Sequence, residues 1–238
     1  MHIVIPELRT VNRIMISVRS NFTCWMTIVL VIATASAASA QSQLKIEVSS
    51  ILEGDSNWDG TQARTTFVPV GAPFWLTTMS RTAKKGPHGD HDVFLSLSRD
   101  HGQTWSKLTV VPSLQRTEQP DGYEIVAGDL WPKWHAATGT VLLTGKTFNF
   151  ADGVKENILR EKVAYAVFDP STHECGPQRT IEMPKHDHEG KPFIAPNAGC
   201  HQRVDLVNGE ILLPIRYQKS SKKRNYTTIV ARCRNQSS

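Results

Sequence analysis

A chain of 238 residues with 39% hydrophobic and 8% aromatic side chains can bury one good core and has the make-up of an ordinary soluble protein. Its 27 Lys and Arg outweigh 22 Asp and Glu by five charges, too mild and too scattered a surplus to imply a nucleic-acid partner. The first forty residues stand apart. Arg9, Arg13 and Arg19 precede an apolar run from Trp25 to Ile32, and an alanine-serine string then closes on Ala38-Ser39-Ala40. A basic region, a short apolar run and small residues at the end read as a signal peptide over 1–40. The run is too short to span a bilayer. The basic region is long, which makes Met15 an alternative start. Cleavage would leave Gln41 first, with no membrane span, in a protein exported to the periplasm or beyond. The leader takes three arginines and Glu7 with it, leaving 24 cationic and 21 anionic side chains, a net +3. Cys24 leaves too. Cys175, Cys200 and Cys233 remain, an odd number that rules out full pairing. One bridge, such as Cys200 to Cys233, and buried free thiols both stay open. No spacing suggests zinc, and no cofactor or metal is implied.

Over residues 41–238 no stretch sustains a helical period. Short strands alternate with Gly or Pro turns, the pattern of an all-β sandwich, barrel or propeller. A unit recurs three times. Turns at Gly71-Ala72-Pro73, Thr138-Gly139 and Asn208-Gly209 each lead into an apolar strand: Phe74-Trp75-Leu76, Val141-Leu142-Leu143 and Ile211-Leu212-Leu213. A polar loop and a further strand follow each, at 93–97, 163–168 and 226–231. The basic run Lys219–Arg224 reads as a solvated hairpin loop.

The first of those further strands enters Ser98-Arg99-Asp100-His101-Gly102-Gln103-Thr104-Trp105. This is a hairpin built to be rigid. Asp100 can accept N–H groups of its own turn, Ser98 can donate to the same carboxylate, and Gly102 can take the left-handed conformation. Trp105 supplies an apolar plug. The second strand enters Asp169-Pro170-Ser171-Thr172-His173-Glu174-Cys175, a degenerate version with Cys where Trp would stand.

Ser98, Asp100, Gly102, Thr104 and Trp105 together resemble the Asp-box, or BNR repeat, of the sialidase superfamily, a structural device that names a fold and carries no chemistry. The runs 129–143, 163–170 and 199–214 are similar to bacterial members of the same group, so the resemblance covers nearly all of 60–234. It implies a six-bladed β-propeller of sialidase type, of which this chain supplies about three blades, near 62–115, 123–184 and 197–238, the last without its final strand. Three blades would leave two open apolar faces, so the chain reads as the N-terminal half of a longer protein.

What the resemblance implies chemically is a retaining exo-α-sialidase. The substrate's anomeric carbon bears a carboxylate that would repel a carboxylate nucleophile, so the family uses a Tyr activated by a Glu. Three arginines clamp the substrate carboxylate, and an Asp acts as general acid and base. Carried over, Arg64 matches the first arginine, although its proline, Pro69, comes three residues late. Arg81, ending the next strand, matches a second. Asp90, in the loop that follows, is the acid/base candidate, with Asp92 second. The Tyr, its Glu and the other arginines belong to later blades, and Tyr123, Tyr165, Tyr217 and Tyr226 match no nucleophile position. The polypeptide as given is therefore not expected to hydrolyse sialosides by itself. The alternative is a non-catalytic BNR propeller that binds glycans or a protein partner. His88–Asp92 and His186–Glu189 read as solvated loops, while His135 and His201, near innermost strands, are open to either a core role or a sugar contact.

Overall fold

Alternating apolar and polar side chains over short runs produce strands, and fifteen form among the described residues, with no α-helix. In the computed structural model these residues are 46–48, 50–51, 53, 58–83, 92–151, 154–156, 158–222 and 225–234. Residues Glu47–Ser238 form one unit and Met1–Ile46 another. The leader expected at 1–40 and the candidate Asp90 lie outside the described residues. No helix among the described residues is long and apolar enough to cross a membrane.

The strands make three antiparallel sheets, none of them closed. The first is a plain meander of β1 (Trp58–Val68), β2 (Phe74–Ala83), β3 (Asp92–Ser98) and β4 (Thr109–Val110). In the second, a two-residue β5 (Thr117–Glu118) flanks the start of β6 (Glu124–His135), which pairs with β7 (Thr140–Ala151). A short β8 (Val154–Glu156) folds back on β7, and β9 (Val163–Asp169) carries both β10 (Glu174–Cys175) and β11 (Arg179–Thr180). In the third, β12 (Ile194–Asn197) and β13 (Val204–Asp205) share one side of β14 (Ile211–Gln218), and β15 (Tyr226–Cys233) pairs along the other. The turns read from sequence fall where the chain reverses. At Asn208-Gly209 the glycine takes φ 83°, and Leu206 donates to Glu210 O at 2.8 Å.

Two apolar layers hold the sheets together. Val68, Phe74 and Leu76 of the first sheet belong to one buried cluster with Val141, Leu143 and Phe168 of the second. Val163 of the second sheet clusters with Leu213 and Ile215 of the third. At about 25 cal/mol per Å2 of apolar surface, such layers are the main source of stability. A polar tie reinforces them. Arg203, 2% exposed, donates to Leu142 O at 2.7 Å, to Lys133 O at 2.8 Å and to Asp205 Oδ1 at 2.8 Å. It fastens the third sheet to β6 and β7 and spends its fork doing so. His135 is likewise structural: it sits at the end of β6, 3% exposed, with Nδ1 2.8 Å from Thr138 Oγ1 and Nε2 3.0 Å from Gly209 O.

Candidate functional site

One strand of each sheet breaks its register part-way along. The breaks lie between Thr61 and Arg64 in β1, Gly128 and Trp131 in β6, and Ile194 and Asn197 in β12. Each bulge puts a residue with a side chain at positive φ: Gln62 at 60°, Asp129 at 52° and Ala195 at 49°. Cys200, just beyond β12, is a fourth at 62°. Such backbones cost roughly 1–3 kcal/mol apiece and persist only where the surroundings enforce them. What they achieve here is to re-aim side chains toward one another.

The side chains so aimed form one network. Gln62 Nε2 donates to Asp129 Oδ1. Asp129 Oδ2 lies 3.5 Å from Lys146 Nζ, which is 2.9 Å from Glu161 Oε1. Glu161 Oε2 accepts from Asn197 Nδ2 at 2.8 Å, and Asn197 Oδ1 accepts from Gly199 N at 2.7 Å. Cys200 N returns to Asp129 O at 3.3 Å. Lys146, Asp129 and Glu161 have side chains only 6%, 10% and 3% exposed, so each charge depends on its neighbour. Two glycines let the backbones close on it. A Cβ on Gly145 would stand 2.4 Å from Gly128 O, and one on Gly199 would stand 2.8 Å from Asp129 Cβ.

Arg64 lies at the edge of this network, half-buried. Its Nη1 donates to Leu130 O at 3.2 Å and Gln62 Oε1 at 3.3 Å, its Nη2 to Cys200 Sγ at 3.1 Å, and Trp131 lies 5.5 Å from the guanidinium carbon. No carboxylate pairs with it among the described residues. A guanidinium has five N–H donors, so contacts through three leave donors for an incoming anion. Partial shielding of the Cys200 sulfur, and then the Asp129 charge, push its thiol above the ordinary range; it faces Arg64 as a protonated acceptor. All three cysteines at 175, 200 and 233 are free.

The remaining sequence candidates are placed differently. Arg81 lies in β2, its backbone opposite Gly60 on one side and Asp92 on the other. Asp92 therefore begins β3 beside the arginine position, and Asp90 falls outside the described residues. The five residues that resemble an Asp-box begin at Ser98, the last residue of β3, two strands across the sheet from β1. Ser98 Oγ donates to Asp100 Oδ1 at 2.8 Å and accepts from Gly102 N at 2.8 Å. Thr104 gives Asp100 its backbone N–H at 2.9 Å and its hydroxyl at 2.5 Å. The Thr104 hydroxyl, then its N–H and Ser98, hold the Asp100 carboxyl down to about 2. Gly102 takes φ 85° and Trp105 is partly buried. In the second sheet Asp169 repeats part of this, accepting from Ser171 N at 2.8 Å and Ser171 Oγ at 2.6 Å, with His173 at φ 60° in the left-handed place.

The His186–Glu189 segment is tied down as a turn. Asp187 accepts from Tyr217 Oη at 2.6 Å, Lys191 N at 2.8 Å and Glu189 N at 2.9 Å, and Lys219 lies 3.5 Å away. Among the described residues no group of three or more His, Cys, Asp or Glu is placed to hold a metal. No protein-family model matches the chain, and no curated protein matches it.

Sequence reading singled out Arg64 as a candidate but not its neighbours in this network, Gln62, Asp129, Lys146, Glu161 and Asn197. One signal was present. Lys146 interrupts the run from Thr140 to Phe150, and a lysine inside an apolar strand needs a buried carboxylate.

Proposed function

We propose that the three sheets are blades of a sialidase-type β-propeller and that Arg64 binds the carboxylate of an acidic sugar. The observation that carries this reading is the Arg64 guanidinium: fixed on one side by Leu130 O and Gln62, it keeps donors free and has no carboxylate partner among the described residues. A planar fork of this kind matches the two oxygens of a carboxylate. The hydrogen bonds around Asp100 and the meander order of the first sheet support the propeller. The reaction proposed, for a protein that joins these blades to others bearing the Tyr and its Glu, is retaining hydrolysis of exo-α-sialosides after export, with Asp90 as acid/base.

A second reading, a non-catalytic glycan-binding module, is favoured by where the tyrosines lie. Tyr217 donates to Asp187, Tyr123 stacks under Arg160 at 3.8 Å, and Tyr226 lies 4.7 Å from the Arg216 guanidinium. The partners of the Arg64 guanidinium are Gln62, Leu130, Cys200 and Trp131. Titration with the methyl α-glycoside of N-acetylneuraminic acid, beside turnover of an aryl sialoside, separates the two. Arg64→Ala is expected to weaken binding by about 2–4 kcal/mol, the loss of a charge-assisted pair. In a protein that also carries the Tyr and Glu blades, turnover that drops roughly a hundredfold in Asp90→Asn would support the hydrolase; binding without turnover there would support the module. No binding by the wild-type chain would end both readings.

A further inference from the structure

Gln62 stands between two charges of opposite sign, and its amide can face them in one way only. Its Nε2 donates to Asp129 Oδ1, and its Oε1 accepts from Arg64 Nη1 at 3.3 Å. An ionised carboxylate only accepts and a guanidinium only donates. Turned over, the amide would set its N–H groups against the guanidinium and its oxygen against the carboxylate. The direction is imposed from deeper in the fold. Lys146 Nζ lies 3.5 Å from Asp129 Oδ2, with both side chains nearly withdrawn from water, and balances the charge that Gln62 reads. Gln62 and Asp129 are both bulge residues, at φ 60° and 52°, so the left-handed backbone at two strands is what lets the amide reach.

The contact also selects which side of Arg64 is left for a ligand. Nη1 donates to Gln62 Oε1 and, at 3.2 Å, to Leu130 O. Nη2 meets only the Cys200 sulfur at 3.1 Å, a weak acceptor, and Nε has no partner among the described residues. Buried unpaired nitrogens occur at Trp75, Asn149, Arg216 and Gln218 but not at Arg64, so the free Nε reaches solvent. Nε and Nη2 form one edge of the planar group, with parallel N–H groups that match the two oxygens of a carboxylate. Resting on the reading of Arg64 as the anchor for an acidic sugar, we infer that Gln62, its amide set by Asp129, is the positioning residue that turns the Nε–Nη2 edge of Arg64 toward the ligand's carboxylate.

Two variants of the whole chain break the link and spare the bulges. Gln62→Gly removes the amide at a φ that glycine adopts freely. Asp129→Asn keeps a residue that tolerates the left-handed region, but its one oxygen, turned to Lys146, leaves an N–H facing Gln62. Gln62→Asn, a methylene too short to bridge, replaces either one that does not fold. In the unliganded wild type the Arg64 Nε–Hε resonance should show the high heteronuclear NOE of a held side chain, and each variant should lower it to that of a free arginine. A mobile wild-type resonance, or one still held in either folded variant, overturns the inference with no ligand present. The methyl α-glycoside of N-acetylneuraminic acid should shift this resonance in the wild type; an unmoved resonance in a chain that binds it overturns the edge assignment. Each variant should bind the glycoside about tenfold more weakly, the order expected when a long side chain must be ordered on binding. The double variant should lose no more than the weaker single one, because both residues act through one link; a loss of about a hundredfold means independent roles and overturns the inference. A wild-type chain that binds no acidic probe instead removes the Arg64 reading, and the resonances of the variants still decide whether Gln62 holds the guanidinium.

Discussion

Replacing Lys146 by Met should destabilise the protein more than any exposed charge change. The ammonium stands 2.9 Å from Glu161 and 3.5 Å from Asp129, and all three side chains are nearly withdrawn from water. Removing it strands two carboxylates. Glu161 keeps Asn197 as a donor, and Asp129 keeps Gln62 and the Cys200 thiol. Breaking a buried ion pair from one side costs about 3–5 kcal/mol, a large part of a total stability of about 5–15 kcal/mol. For a chain of this size that lowers Tm by roughly 6–20 °C, at about 2–4 °C per kcal/mol. Urea titration should show a lower midpoint with an unchanged slope. Adding Glu161→Gln to Lys146→Met should restore part of the loss, since only Asp129 then remains unpaired. A Lys146→Met midpoint within about 0.5 kcal/mol of wild type at pH 7 would refute the network as a buried unit.

Asp100 and Gly199 test the structure elsewhere. The Asp100 carboxyl is held near 2 against 3.8 when free, so its contribution is present above about pH 4 and is lost as the pH falls through 2. The Tm gap between wild type and Asp100→Asn should therefore be widest above pH 4 and close toward pH 2; a gap constant over that window would disprove the hydrogen-bonded carboxylate. Gly199→Ala places a Cβ 2.8 Å from Asp129 Cβ and 3.0 Å from Asn197 Oδ1. Overpacking of this kind costs about 1–3 kcal/mol, seen as a lower urea midpoint, and should weaken acidic-sugar binding because Asp129 must shift.

The strands and reversals were legible because their causes are local. Small-residue turns before 74–76, 141–143 and 211–213 open β2, β7 and β14, and the strands that follow became β3, β9 and β15. The Ser98–Trp105 hairpin was legible for the same reason, since the hydrogen bonds made by Ser98 and the Asp100 carboxylate within it span at most four residues. Two-residue strands such as β10 and β11 left no period to read, and only their pairing with β9 defines them.

The polar site was hidden because a bulge belongs to register, and register arises between strands. Nothing in the residue types around Gln62 or Asp129 sets them apart from neighbours one position away. Only when two residues face one across the ladder does Asp129 turn from its strand toward Lys146, while Gln62 turns toward Asp129. The result separates two arginines that look alike in sequence. Arg203 is out of a ligand's reach, only 2% exposed and tied to Leu142, Lys133 and Asp205. Arg64 is held by Gln62 and Leu130 yet keeps donors in reserve. An unconstrained arginine carries about 2 kcal/mol of rotamer entropy. Fixing the guanidinium before a ligand arrives removes much of that loss from the binding step. On the proposed reading of Arg64, the strained bulges and the buried charges have a common effect: both hold one cation in place for an anion.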